Sequence, residues 1–178
     1  SSYDGTTWKT LVAPGPQNRA GAAVATDPLM KQTLLFGGFI GSSGSPEVAG
    51  DTWIESASVW RPVAGPQSPP ARSAHMMAFS NPDQTGVLFG GDNGSTRLND
   101  TWLWFNGVWG RSNGTIFTLP PSRSLSGFAW DESRNMGIMF GGVLTDGSRT
   151  SATSQFTFSR GWSTLGPSNP PSARDSVA

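Results

Sequence analysis

The tetrapeptide Leu-Phe-Gly-Gly stands at Leu35 to Gly38 and again at Leu88 to Gly91, and Met139-Phe140-Gly141-Gly142 is a near copy. The first glycines of the three pairs, 37, 90 and 141, are spaced by 53 and 51 residues. Arginines 19, 72, 123 and 174 keep the same register at 53, 51 and 51, and Trp8, Trp60, Trp109 and Trp162 recur at 52, 49 and 53. Each arginine follows a polar or Pro-rich approach, as in Pro69-Pro70-Ala71 and Pro120-Pro121-Ser122. Asp51-Thr52-Trp53 and Asp100-Thr101-Trp102 precede two of the phased tryptophans. Several landmarks returning in fixed order describe one supersecondary unit copied along the chain.

The unit is made of short strands. The 178 residues include 23 Gly and 14 Pro and are only 13% charged, and no window sustains a 3.6-residue apolar period. In the second copy, the apolar stretch 73–79 ends at the turn formers Asn81-Pro82-Asp83-Gln84-Thr85-Gly86. Val87-Leu88-Phe89 is a second strand stopped by the glycine pair. A polar loop, 92–98, leads to a third strand at 99–104. Asn106-Gly107, a hairpin signal, then opens a fourth at Val108-Trp109. Four antiparallel strands joined by hairpins make a propeller blade. The small residues of the first strands (Gly21, Ala22, Ala23, Ala25) suit a crowded axis, and the tryptophans suit the wedges between blades.

Arg72-Ser-Ala-His75, Leu88 to Gly91, Asn99-Asp-Thr-Trp102 and Trp109 resemble the kelch repeat, whose period is near 50. The likeness covers nearly the whole chain. Its style, with Asp4-Gly5-Thr6-Thr7-Trp8 and the Asp-Thr-Trp units, is similar to prokaryotic kelch or galactose-oxidase-like propellers. It implies an all-β, kelch-type β-propeller occupying 1–178 as a single partial domain. Three complete four-stranded blades, at about 19–64, 72–112 and 123–165, are expected, with partial blades at each end. In the third copy Thr153-Ser154-Gln155-Phe156 is expected where Asn-Asp-Thr-Trp would stand, giving a looser blade. Such rings usually hold about four to eight blades. The chain is therefore expected either to be a piece of a longer propeller or to complete a ring by self-association.

Charge and composition remove several classes of function. Net charge is zero and no basic run occurs, so the footprint of nucleic-acid binding is missing. No 18-residue apolar stretch supplies a membrane span. Without cysteine there are neither disulfides nor thiolate metal ligands, and one histidine cannot build a multi-histidine metal site. No cofactor is expected. An extracellular or cell-surface setting is favoured. Sequons at Asn93, Asn99 and Asn113 would bear glycans in a eukaryotic secreted protein, although Asn99 also belongs to the repeat pattern.

Loops that vary on a constant scaffold are where recognition concentrates. The segments between second and third strands, 39–50, 92–98 and 143–152, differ in length and content. They nominate Asp92, Asn93, Arg97, Asp146 and Arg149 as ligand contacts, with His75 as a further candidate near the axis. The phased arginines could ring the channel mouth and hold anions, but recurrence in every copy favours a structural role, bonding backbone carbonyls of a neighbouring blade. Asp51 and Asp100 are read as hydrogen-bonding at turns or strand ends. The leading functional reading is a non-enzymatic module recognising a protein or a glycan. The alternative is a fragment of a kelch-type enzyme, either a galactose-oxidase-like oxidase or a sialic-acid-processing propeller. Its catalytic residues would lie outside this chain, because copper chemistry of that kind needs more than one His, one Tyr and no Cys.

Overall fold

The structure, a computed structural model, describes residues 2–3, 5–9, 15–42, 45–112 and 119–175. Asp4 and the sequon residue Asn113 lie outside them. All regular structure among the described residues is β. A short hairpin, β1 (Ser2–Tyr3) and β2 (Trp8–Lys9), comes first. The first four-stranded sheet is β3 (Ala23–Asp27), β4 (Gln32–Ser42), β5 (Ser45–Ser56) and β6 (Val59–Val63). The second is β7 (Met76–Ser80), β8 (Thr85–Phe89), β9 (Thr101–Phe105) and β10 (Val108–Arg111). After β11 (Arg123–Ser124), the third contains β12 (Gly127–Asp131), β13 (Met136–Phe140), β15 (Thr153–Thr157) and β16 (Gly161–Leu165). Between its middle strands β14 (Val143–Leu144) pairs with β11. Each four-stranded sheet is an antiparallel meander in chain order, consistent with kelch-type blades.

The second sheet is covered on both faces, and its sequence reflects that. β7 and β8 are buried along their whole length and read as nearly continuous apolar runs. β13 and β15, covered on one face, instead alternate between buried and half-buried residues. One seam joins Leu34 and Phe36 of the first sheet to Met77, Leu88, Trp102, Trp104 and Trp109 of the second. The other joins Met76, Val87 and Phe89 to Met139, Phe156 and Trp162 of the third. Both are pinned alike: the Trp109 indole donates to Thr52 Oγ1 and the Trp162 indole to Thr101 Oγ1, each at 2.9 Å.

The glycine pairs are where consecutive units clasp. Gly90 and Gly91 have φ of 63° and 98°. A Cβ on Gly90 would fall 2.6 Å from the Arg123 carbonyl oxygen, inside any tolerable contact. Gly91 N–H donates to that same carbonyl at 2.9 Å, as Gly38 does to Arg72 and Gly142 to Arg174. At the starts of successive units Ala74 N–H donates to Gly21 O, and Leu125 N–H donates to Ala74 O.

Two expectations are corrected. Segment 39–50 is mostly strand: β4 and β5 continue past a bulge at Phe36/Gly38 to the pair Ser42–Ser45. There Gly41 pairs with Pro46 and Ile40 with Glu47, while Phe39 also bonds Ala20 and Ala49 O accepts Arg72 N–H. In the third unit, Met139 pairs with Ser154 as Leu88 pairs with Trp102. Ser154 therefore replaces that tryptophan, Ala152 replaces Asp100, and Phe156 matches Trp104. Aligning Phe156 with Trp102 on sequence is two residues out of register, because a phenylalanine on the same strand face looks like the missing aromatic.

Candidate functional site

The loops that follow the glycine pairs lie side by side at one edge of the sheets. Bridges from Ala20 to Phe39 and from Ser73 to Asp92, with the β11–β14 pair joining Ser124 to Val143, bring each loop beside the start of its own unit. The loop at 92–98 is braced internally: Asp92 Oδ1 accepts Gly94 N–H at 2.8 Å, and Asn93 Oδ1 accepts Ser95 and Thr96 N–H at 2.9 Å each. In the third unit's loop Asp146 Oδ1 accepts Ser148 N–H and its hydroxyl at 2.9 and 2.6 Å. These Ser148 bonds hold the exposed Asp146 carboxyl below its usual range, with a further pull from the Arg97 guanidinium.

Arg97 and Arg149 occupy equivalent positions, opposite Asp92 and Val143. Each leans onto the next unit. Arg97 Nε donates to Ser124 Oγ at 3.1 Å, and Arg149 Nε lies 3.0 Å from Asp175 Oδ1. Ser124 and Asp175 directly follow phased arginines, so the strut has the same form in both places. Bonding to Arg149 lowers the Asp175 carboxyl. In the first unit Val48, opposite Phe39, takes the arginine's place. The hydroxyl it would have met, Ser73 Oγ, is buried without a partner among the described residues. Arg97, Arg149, Asp146, Asp92 and Asn93 thus form a polar strip across the second and third units. Ser124 and Asp175, which sequence reasoning did not single out, brace it; their signal was the position next to the repeating arginine.

His75 is separate from that strip. It is buried at the seam, its ring edge-on to Phe36 at 5.5 Å between centroids. Burial, aided by the Arg72 charge, drives its pKa down to about 3, so the imidazole is neutral.

The phased arginines bond a neighbouring unit's carbonyls as expected, but through their main chains and not their side chains. Their main chains bond the preceding unit: Arg72 N–H donates to Ala49 O and Arg123 N–H to Leu98 O, both at 3.1 Å. Their side chains turn into their own unit. Arg72 donates from Nη1 to Gly90 O at 3.0 Å and grips Asp100 with two bonds of 2.6 and 2.8 Å. Arg19 grips Asp51 likewise, at 2.6 and 2.9 Å. Each carboxylate also accepts an indole N–H, from Trp102 and Trp53 respectively. Burial pushes the Asp100 carboxyl up, but the Arg72 bonds outweigh it and its pKa ends below normal.

An open concavity of about 330 Å³ lies over the first strands of the three sheets, lined by Val24, Met77, Phe79, Phe128 and Trp130. Among the described residues no three acidic, His or Cys side chains gather as metal ligands, and no helix is long and apolar enough to cross a membrane.

No family model matches the chain. Over 113 residues it is 36% identical to an F-box/kelch-repeat protein of Arabidopsis thaliana. The match takes in 57% of this chain but only 23% of that protein. The chain therefore spans less than a quarter of the relative's length.

Proposed function

We propose that this protein is a non-enzymatic, kelch-repeat recognition module. Its sheets are blades of a propeller, at about 19–64, 72–112 and 123–165 of one domain, and it holds a protein or carbohydrate ligand at the polar loop strip. The observation that carries this reading is the pair of cross-unit struts, Arg97 to Ser124 and Arg149 to Asp175, beside carboxylates and amides fixed by their own turns. Groups preorganised in this way lose little freedom when a ligand arrives. The kelch-repeat likeness supports a protein partner in particular. Asp92, Asn93, Arg97, Asp146 and Arg149 are the contacts, while His75 supports the seam beneath them.

The experiment is to screen the purified chain on a peptide array and a glycan array, then measure hits with Arg97→Ala and Arg149→Ala. A hydrogen bond to a charged group contributes about 1.5–3 kcal/mol, so each substitution is expected to weaken binding roughly tenfold or more. The melting temperature should stay close to that of the parent for Arg149→Ala, whose side chain is 60% exposed. Binding that survives both changes but is lost in Val24→Asp would move the site to the concavity over the first strands and sink the loop reading.

A further inference from the structure

Arg123 stands in the same cradle as Arg19 and Arg72 but lacks their carboxylate. The anchoring is alike in all three. Nε donates to the carbonyl two residues earlier, at 3.1 Å to Gln17, 3.0 Å to Pro70 and 3.1 Å to Pro121. Nη1 donates to the first glycine of the pair, at 2.9 Å to Gly37, 3.0 Å to Gly90 and 3.1 Å to Gly141. A guanidinium is planar and rigid, so two matching anchors fix its orientation. The remaining N–H groups on Nη1 and Nη2 of Arg123 therefore face the place where Asp51 and Asp100 put their carboxylates.

That place is lined by different residues in the third unit. Thr52, Thr101 and Thr153 are equivalent, pairing with Phe36, Phe89 and Phe140. The acidic position is thus Ala152, and the indole that would bond the carboxylate is Ser154. Arg123 is 1% exposed, and among the described residues it has no acidic partner. Burial lowers its pKa with no neighbouring charge acting against the shift. A cation in that setting carries a desolvation cost that its two carbonyl bonds do not offset.

We propose that Arg123 is an anion site that takes a small planar carboxylate, such as formate or acetate, in the two-bonded geometry its sister arginines make with Asp51 and Asp100. Ala152 is smaller than the aspartate of the sister units by one carboxylate, and Ser154, two residues on along the same strand face, carries a hydroxyl where they carry the indole. The site lies within the third unit and is independent of what the loop strip binds.

Thermal melts of the full chain in sodium formate and in sodium chloride at matched ionic strength test this, using the parent protein, Ala152→Asp and Ala152→Asn. The parent is expected to show a saturable rise in Tm with formate, on the order of 5 °C at a hundredfold excess over Kd. Ala152→Asp is expected to melt higher than the parent without formate and to respond no more to formate than to chloride. Ala152→Asn, similar in size but uncharged, should not reproduce that gain. Equal formate responses in the parent and Ala152→Asp would overturn the site, as would chloride acting on the parent as strongly as formate. So would an Asn variant as stabilised as the Asp one. An Ala152→Asp protein that melts lower or fails to fold would show that no room exists for a carboxylate, and would overturn the site as well.

Discussion

At the scale of single residues a buried polar side chain is held either as a paired charge or as a neutral group, with Arg123 the exception. Arg72 and Asp100 are the first kind, and His75 is the second. Because the folded imidazole titrates near pH 3 and the unfolded one near 6.5, the unfolded chain binds one more proton across that interval. Stability is then complete above pH 6.5 and is lost as pH falls toward 3. The carboxylates with lowered pKa add their own losses only near and below their ordinary value of 3.8. Between about pH 6 and pH 4.5 the slope therefore belongs to His75, approaching 1.4 kcal/mol per pH unit. Urea melts over that range should show it, and His75→Leu should flatten it. A slope unchanged in that variant would refute the buried neutral imidazole. The single histidine was visible in the sequence as a candidate ligand contact. Its burial was not, because that depends on Phe36, in the preceding sheet and 39 positions away.

At the scale of elements, the repeat was legible wherever a local rule and the period agreed. Asn106-Gly107 marks a two-residue hairpin and adopts it, with φ of 50° and 80°. The equivalent turn of the first sheet, Ala57-Ser58, has no such signal yet holds φ of 51° and 66°. Two non-glycine residues in the left-handed region are strained, and the flanking register and the Glu55 side chain, which accepts Ser58 N–H at 2.6 Å, hold them there. Replacing Ala57→Asn together with Ser58→Gly should relieve that strain and keep the Glu55 bond. We expect a gain of about 1 kcal/mol, read as roughly 2–4 °C in Tm. A Tm at or below the parent's would mean the turn is not strained as described. Distance along the chain accounts for what stayed hidden. The carboxylate partners of Arg19 and Arg72 lie 32 and 28 residues downstream, within the third strand and just before it respectively, so only the shared phase of Arg and Asp linked them. In the third unit that phase fails at Ala152, and the apparent match of Phe156 concealed the failure.

At the scale of the molecule, the apolar packing between the three sheets falls into two seams among the described residues, and the seams repeat each other. Trp109 packs on Phe36 and Trp104, at 5.5 and 5.2 Å between ring centroids, and reaches Thr52. Trp162 sits 4.7 Å from Phe89 and reaches Thr101. Arrays of this kind have stabilities close to a sum of unit and neighbour terms. Damage to one seam should therefore loosen its own neighbours first. Trp109 is 4% exposed, so Trp109→Ala should cost roughly 3–5 kcal/mol of that seam. Trp109→Phe keeps much of the ring but strands the Thr52 hydroxyl, for about 1–3 kcal/mol. Amide hydrogen exchange locates the effect. In Trp109→Ala the amides of Ala23–Asp27 and Gln32–Ser42 should exchange faster, while those of Met136–Phe140, behind the intact Trp162 seam, should change much less. A uniform acceleration across all three sheets would show instead that the chain opens as one cooperative body, with the tryptophans acting on the whole and not seam by seam.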